Sequence, residues 1–180
     1  MGKCILIGAG DLTMGELSVT EEDYVIAVDG GLSYCGLLNV EPDLIIGDFD
    51  SMSEQEKLAV EQLQQTVPEK ICRLPECKDD TDMLAAIKRG LELGYRRFVL
   101  LGGLGGRLEH TLGNLQLLDW LSTQGAVGFL AGEKTVVTAL RDSSLAFPPT
   151  MSGYLSVLCS SGAAHGVTLS NLKYPLTDYN

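Results

Sequence analysis

Five short apolar runs lie along the first hundred residues, and four of them end in or run into glycine or aspartate: residues 3–8 (KCILIG), 24–29 (YVIAVD), 43–47 (DLIIG), 70–74 (KICRL) and 96–101 (RRFVLL, followed by Gly102). Runs this brief and this rich in Ile, Leu and Val read as strands buried on both faces. Helical patterns fill the gaps between them. Ser53 followed by Glu56 forms a capping box that opens a helix to about Gln65. Residues 81–93 carry Leu84, Ile87 and Leu91 at helical spacing and stop at Gly94. Leu108, Leu112, Leu115 and Leu118 mark a further helix ending near Gly125. Strands alternating with helices predict an α/β fold, with a mostly parallel, Rossmann-like sheet covered by helices on both faces.

The pattern changes after Gly125. Residues 127–131, 135–140, 145–147, 154–159 and 167–169 are short strand-like runs separated by Ser, Gly and Pro, with no helical period. They predict a small antiparallel β domain. The expected division is therefore residues 1–126 as an α/β nucleotide-binding domain and residues 127–180 as the β domain.

Composition narrows the range of partners. Thirteen Lys and Arg against 24 Asp and Glu give a net charge of −11, which argues against nucleic acid and against an anionic membrane surface. No run approaches the roughly 18 apolar residues of a membrane span, and the first apolar run is too short for a signal peptide. The five cysteines, an odd count without a CxxC pair, argue against a disulfide framework or a zinc site. A reducing, cytoplasmic setting is the expectation. Glycine is abundant, 21 of 180 residues, which suggests backbone that approaches something closely.

The chemistry gathers at the strand ends, where open parallel sheets bind ligands. Gly8-Ala9-Gly10-Asp11-Leu12-Thr13 begins like a dinucleotide fingerprint, but Thr13 stands where the third glycine belongs. A tight turn beside a different ligand is the better expectation. In Asp29-Gly30-Gly31 the backbone turns sharply into a helix, and Asp29 is either a ligand contact or a capping residue. In Gly47-Asp48-Phe49-Asp50-Ser51, residues i and i+2 on extended backbone would point the same way. Two carboxylates about 4 Å apart repel by about 4 kcal/mol at an effective dielectric of 20. A hard cation such as Mg²⁺ relieves that repulsion through oxygen ligands.

Lys78-Asp79-Asp80-Thr81-Asp82 opens a helix, where Asp79 or Asp80 would serve as a cap. Three acids after a lysine exceed what capping needs, so the lysine is expected to meet phosphate and one aspartate the metal. Gly102-Gly103-Leu104-Gly105-Gly106-Arg107-Leu108-Glu109-His110 follows a strand and opens a helix. Such a loop presents backbone N–H groups to an anion, with the helix dipole behind them and Arg107 as a phosphate clamp. It is not a Walker A loop, because no GxxxxGK[ST] occurs. His110 is either part of this cradle or an ordinary helix residue. Carboxylates beside a glycine cradle suggest Mg²⁺ and a polyphosphate, hence phosphoryl or diphosphoryl transfer.

The ordered set VDGG (residues 28–31), GDFDS (47–51), KDDTD (78–82) and GGLGGRLEHTLGN (102–114) resembles the thiamine pyrophosphokinase family, and HGVTLSNLKYPL (165–176) is similar to the family's later β segment. The resemblance implies an α/β domain followed by a β-sandwich, working as a homodimer through the sandwich. It implies transfer of a diphosphate from ATP to the hydroxyl of thiamine, releasing AMP. Asp48, Asp50 and Asp82 would hold Mg²⁺. Lys78, Asp79, Thr81, Gly103, Gly105, Gly106, Arg107, His110 and Asn114 would face ATP, and Asp29 would lie near thiamine or the β-phosphate. Asp48, Asp50, Asp82 and Arg107 would be the catalytic set.

Two features depart from the family pattern. Glu109 stands where the family usually has aspartate. The chain also stops at Asn180, before the further strands that carry a Ser-Asn motif in the family. The β-sandwich is therefore expected to be incomplete, with an exposed edge and weaker dimerisation or activity. Three readings compete with this one. A haloacid-dehalogenase-like phosphatase also places a DxD after a buried strand and uses Mg²⁺, but has no use for the glycine-Arg loop. A diphosphokinase acting on another alcohol, such as a pterin, would share the nucleotide side. A nucleotide-binding module without turnover is the third.

Overall fold

A computed structural model describes residues 2–12, 17–50, 52–75, 79–160 and 162–180. The chain forms two compact units, Met1–Ser143 and Ser144–Asn180.

Among the described residues, the first unit is built on a seven-stranded sheet of order β4-β3-β2-β1-β5-β6-β7. Its strands are β1 (Cys4–Ile7), β2 (Tyr24–Val28), β3 (Leu44–Gly47), β4 (Ile71–Arg73), β5 (Arg97–Leu101), β6 (Val127–Ala131) and β7 (Val136–Thr138). β1 to β6 run parallel, and β7 pairs antiparallel with β6. The helices are α1 (Leu32–Leu37), α2 (Glu54–Thr66), α3 (Asp82–Glu92) and α4 (Leu108–Thr123). The mostly parallel α/β expectation therefore holds.

Alternate strand residues feed two apolar layers. Cys4, Leu6, Ile26, Val28, Phe98 and Leu100 pack with Met83, Ala86 and Ile87 of α3 and with Leu118 and Leu121 of α4. Ile5, Ile7, Val25, Ala27 and Ile45 pack on the other face with Cys35 of α1 and Val60 of α2. β1 is buried along its whole length because it lies at the centre of both layers. Each such side chain contributes roughly 1.5–3 kcal/mol through its burial.

Local signals place the helix ends. The Ser53–Glu56 capping box forms, with Ser53 N–H donating to Glu56 Oε2 at 2.8 Å and Glu56 N–H to Ser53 Oγ at 3.3 Å. α3 ends before Gly94, whose φ of +91° suits only glycine comfortably. Thr81, rather than Asp79 or Asp80, is its cap: Thr81 Oγ1 accepts from Leu84 N–H at 3.2 Å.

Three sequence expectations change. The run 127–131 was expected to open the C-terminal β domain, but it forms β6 and pairs in parallel with β5. The first unit therefore extends through β7 to Ser143 instead of closing at residue 126. The flat, partly apolar run finds a ready partner in the exposed edge of β5, and local texture carries no record of that edge. In α4, the core-facing residues are Leu118 and Leu121; Leu108 and Leu112 are exposed. Both leucines lie in the first two turns of the helix. In the second unit, β8 (Val167–Leu169) and β9 (Leu176–Tyr179) pair antiparallel. Residues 145–147 and 154–159 form no strand, and Tyr154, Val157 and Leu158 stand exposed. No described helix is long and apolar enough to cross a membrane.

Candidate functional site at the carboxyl edge of the sheet

Strand order reverses between β1 and β5: successive strands step one way from β1 to β4 and the other way from β5 to β7. At such a switch point the loops leaving the two central strands diverge and leave a crevice. Here those loops are the glycine segments 8–11 and 102–106, and they are laced together. Gly8 N–H donates to Leu101 O, Gly10 N–H to Gly102 O (both 2.8 Å), and Asp11 N–H to Leu104 O (3.0 Å). A Cβ on Gly102, whose φ is +61°, would lie 2.2 Å from Gly8 O. The incomplete dinucleotide fingerprint thus has a structural cause: the glycines let two loops touch.

The turn after β2 is equally tight. A Cβ at Gly31 would lie 1.8 Å from Ile7 O, so the VDGG turn rests directly on β1. Asp29 takes a left-handed φ of +49° and heads a single 3₁₀ turn; it does not occupy the N-cap position of α1, which belongs to Gly31. A non-glycine residue held at positive φ is uncommon and favours a site where geometry matters more than relaxation.

Asp29 and the GDFD turn are neighbours. Val28 pairs with Ile46 in register, and a Cβ on Gly47 would lie 3.1 Å from Asp29 Cα and 3.2 Å from the Phe49 ring. Asp48 and Asp50 do not stand on the extended backbone expected. Phe49 sits at φ +64°, so the backbone turns there, and Asp50 N–H donates to Asp48 Oδ1 at 3.2 Å. Phe49 is buried, which ties the turn to the core, while the Arg73 guanidinium lies 5.0 Å from its ring centroid. Ser51, the last residue of this motif, lies outside the described residues.

Asp82 occupies the first turn of α3, where backbone N–H groups and the helix dipole favour a carboxylate, and its Oδ1 is buried from water. The adjacent Met83 brings this helix end over β1: its Cε lies 2.9 Å from where a Cβ on Gly8 would stand. Asp80 pairs with Lys88 at 2.5 Å. Asp79 and Asp80 line a shallow cavity of about 330 Å³ with Leu74, Pro75 and Ala85. Lys78 lies outside the described residues.

The glycine loop forms the remaining wall. Among the described residues, the backbone amides of Gly103, Leu104, Gly105 and Gly106 donate to no protein acceptor. Two residues one turn apart on α4 brace it from behind: Asn114 Nδ2 donates to Gly103 O at 2.8 Å and Thr111 Oγ1 to Gly105 O at 3.3 Å. Asn114, expected at ATP, is a strut of the loop in this structure. Arg107 is the N-cap residue of α4 and is exposed; its guanidinium contacts His110 and pairs with Glu109 at 3.4 Å. An exposed pair of this kind contributes little and can exchange for another anion.

Asp29, Asp48, Asp82 and the 102–106 loop therefore lie along one edge of the sheet, and Arg107 follows the loop at the start of α4. Sequence reasoning missed three contributors. Asp11 has its carboxylate packed against Gly105, 2.0 Å from where a Cβ would stand. Thr111 is foreshadowed only by its three-residue spacing from Asn114. Arg73 has no local signal, because strand pairing with Gly47 brings it beside Phe49. Among the described residues, no three His, Cys, Asp or Glu side chains already converge as a metal cage.

Residues 16–127 match the family described as thiamin pyrophosphokinase, catalytic domain. The chain is 32% identical over 164 residues to a thiamine pyrophosphokinase of Bacillus subtilis, covering 85% of this chain and 70% of that protein. The crystal structure of thiamine pyrophosphokinase from Bacillus subtilis superposes with a TM-score of 0.65 at 28% identity, over 77% of this chain and 64% of that one. That of thiamin pyrophosphokinase from Geobacillus thermodenitrificans gives 0.60 at 29%, over 77% and 62%. This chain thus spans less than two thirds of the length of those solved structures. With the family match covering β2 to β5, the turns that follow them and the 102–106 loop, the chain belongs to the thiamin pyrophosphokinase family.

Proposed function

We propose that this protein transfers a diphosphate from ATP to the hydroxyl of thiamine, giving thiamine diphosphate and AMP. The observation that carries this reading is the meeting of the 8–11 and 102–106 loops at the strand-order reversal, with Asp29 and Asp48 at the ends of the adjoining strands. The unused amides of 103–106 suit phosphate oxygens, and Arg107 at the start of α4 suits the charge that develops on them.

The donor set fits Mg²⁺. Asp48, Asp50 and Asp82 offer hard carboxylate oxygens, and Mg²⁺ usually takes one or two carboxylates, phosphate oxygens and several waters, so no preformed cage is required. When bound, the ion would neutralise charge on the diphosphate being transferred. The thiamine hydroxyl oxygen attacks the β-phosphorus in line, the bond from that phosphorus to the α–β bridging oxygen breaks, and AMP departs. An aspartate of the edge accepts the hydroxyl proton. Asp29 would lie near the thiamine hydroxyl or the β-phosphate. Lys78, Asp79, Thr81, Gly103, Gly105, Gly106, His110 and Asn114 complete the proposed nucleotide surroundings, with Thr81 and Asn114 acting through the helix cap and the loop brace. A homodimer through the β unit and a cytoplasmic setting complete the proposal.

The test is incubation with Mg·ATP and thiamine, following AMP and thiamine diphosphate together. Equal amounts of both support the reading. Phosphate release from monoesters without AMP would point to the phosphatase chemistry. AMP formed only with a pterin alcohol would move the acceptor, and nucleotide binding without turnover would leave a binding module.

A further inference from the structure

We propose that Arg73 is a positioning residue for the metal-binding turn, acting through Phe49. The inference rests on the functional reading above only for its effect on catalysis; its structural part stands by itself.

The GDFD turn places a bulky aromatic residue in the left-handed region, Phe49 at φ +64°, where glycine or asparagine would be comfortable. The ring explains the choice. It is 2% exposed and packs in the apolar layer that contains Ile45, Met52 and Val60, so it anchors the turn to the sheet. Gly47 leaves room for it, since a Cβ there would lie 3.2 Å from the ring. Arg73 ends β4, the edge strand, and pairs in register with Gly47, while Leu74 N–H donates to Gly47 O at 2.8 Å. That register delivers the guanidinium to 5.0 Å from the ring centroid. A cation over a ring face is attracted by the ring quadrupole. Arg73 itself is exposed, and among the described residues the specific interaction of its guanidinium is with this ring.

The consequence falls on the residues either side of Phe49. Asp48 and Asp50 are oriented by the turn, which is closed by the Asp50 N–H to Asp48 Oδ1 hydrogen bond. Holding the ring down favours the closed turn over relaxed alternatives in which this hydrogen bond is lost. At an exposed site a cation–π contact shifts such an equilibrium by a factor of about 2–5. Loss of Arg73 is therefore expected to weaken metal binding, and so raise the Mg²⁺ concentration needed, without touching the acceptor side.

The experiment uses the whole chain and the variants Arg73→Met, Arg73→Lys and Phe49→Leu. The first readout is ligand-free hydrogen exchange of the Asp50 amide by NMR. Arg73→Met should speed it about 2–5-fold while amides of β1 and β5 are unchanged, and Arg73→Lys should restore it. The second is the Mg²⁺ concentration for half-maximal turnover, which should rise by a similar factor with KM for thiamine unchanged. In the Phe49→Leu background, Arg73→Met should add nothing to either readout. Unchanged Asp50 exchange in Arg73→Met, a uniform acceleration across the sheet, or full additivity with Phe49→Leu overturns the assignment. Since the exchange measurement needs no substrate, it decides the role of Arg73 even if the wild-type protein makes no thiamine diphosphate, a result that would sink the functional reading separately.

Discussion

At the amino edge of the parallel sheet, Asp23 accepts from Lys3 N–H at 2.9 Å, Lys3 Nζ at 2.7 Å and Thr20 N–H at 2.9 Å, and Asp43 accepts from Val25 N–H at 2.8 Å. At the carboxyl edge, Asp29 sits at positive φ, Asp48 and Asp50 flank a residue at positive φ, and Asp82 occupies a helix N-terminus. The same residue type meets opposite surroundings. Strand amino ends and the loops that enter them offer N–H donors, so a carboxylate there closes the structure. Strand carboxyl ends offer carbonyls, so acids there rely on turns and helix ends, and the backbone bears the strain. Hydrogen-bonded carboxylates close one edge, and the proposed chemistry lies on the other.

The sharpest way to break that comparison is to neutralise one acid on the chemical edge. Asp48→Asn and Asp82→Asn should each lower turnover by about 10²-fold or more, with the thermal midpoint almost unchanged. Near-native turnover with Mg²⁺ in either variant would remove that residue from the metal assignment. Next in size is Gly31→Ala, which puts a Cβ 1.8 Å from Ile7 O. It should cost about 3 kcal/mol in urea unfolding, because backbone cannot yield as a flexible side chain would.

Asp23→Asn tests the stabilising edge. Burial works against the Asp23 charge, but the hydrogen bonds from Lys3 and Thr20 outweigh it and hold the carboxyl well below the usual range. A depressed folded pKa stabilises the protein fully above the unfolded value and is lost as pH falls toward the folded one. The variant should therefore be about 1–3 kcal/mol less stable at neutral pH. Its stability should converge with wild type as pH falls below about 4, read from unfolding curves across pH. Turnover should be little affected. The smallest effect concerns thiols. Burial, with the Asp43 charge adding to it, pushes Cys4 up to about 12, and burial pushes Cys35 up to about 11, whereas Cys159 is exposed. Alkylation at pH 8 followed by peptide mass spectrometry should label Cys159 first, and Cys4 and Cys35 only after unfolding.

Much of the α/β unit was legible in the residues because its signals are local. Apolar runs such as 24–29 report burial directly, and Ser53 with Glu56 reports a helix start that needs no tertiary partner. The C-terminal part was read less well. The runs 127–131 and 154–159 look alike in texture, yet one is a sheet strand and the other is not a strand. A strand exists only if another edge is within reach to pair with it, and sequence texture does not say which edges are exposed.

The same division holds for the site. The sequence by itself determined which residue types stand at each strand end, and so the class of chemistry: carboxylates, glycine loop and arginine are chain-local facts. Only the tertiary structure decided how they meet. The reversal between β1 and β5 brings loops more than ninety residues apart in the chain into contact, through Gly10 N–H and Gly102 O. Strand register sets Arg73 over Phe49, and the left-handed turn at Phe49, rather than an extended chain, joins Asp48 to Asp50. Register and loop contact are fixed by packing the whole sheet at once, and no window of sequence contains that information.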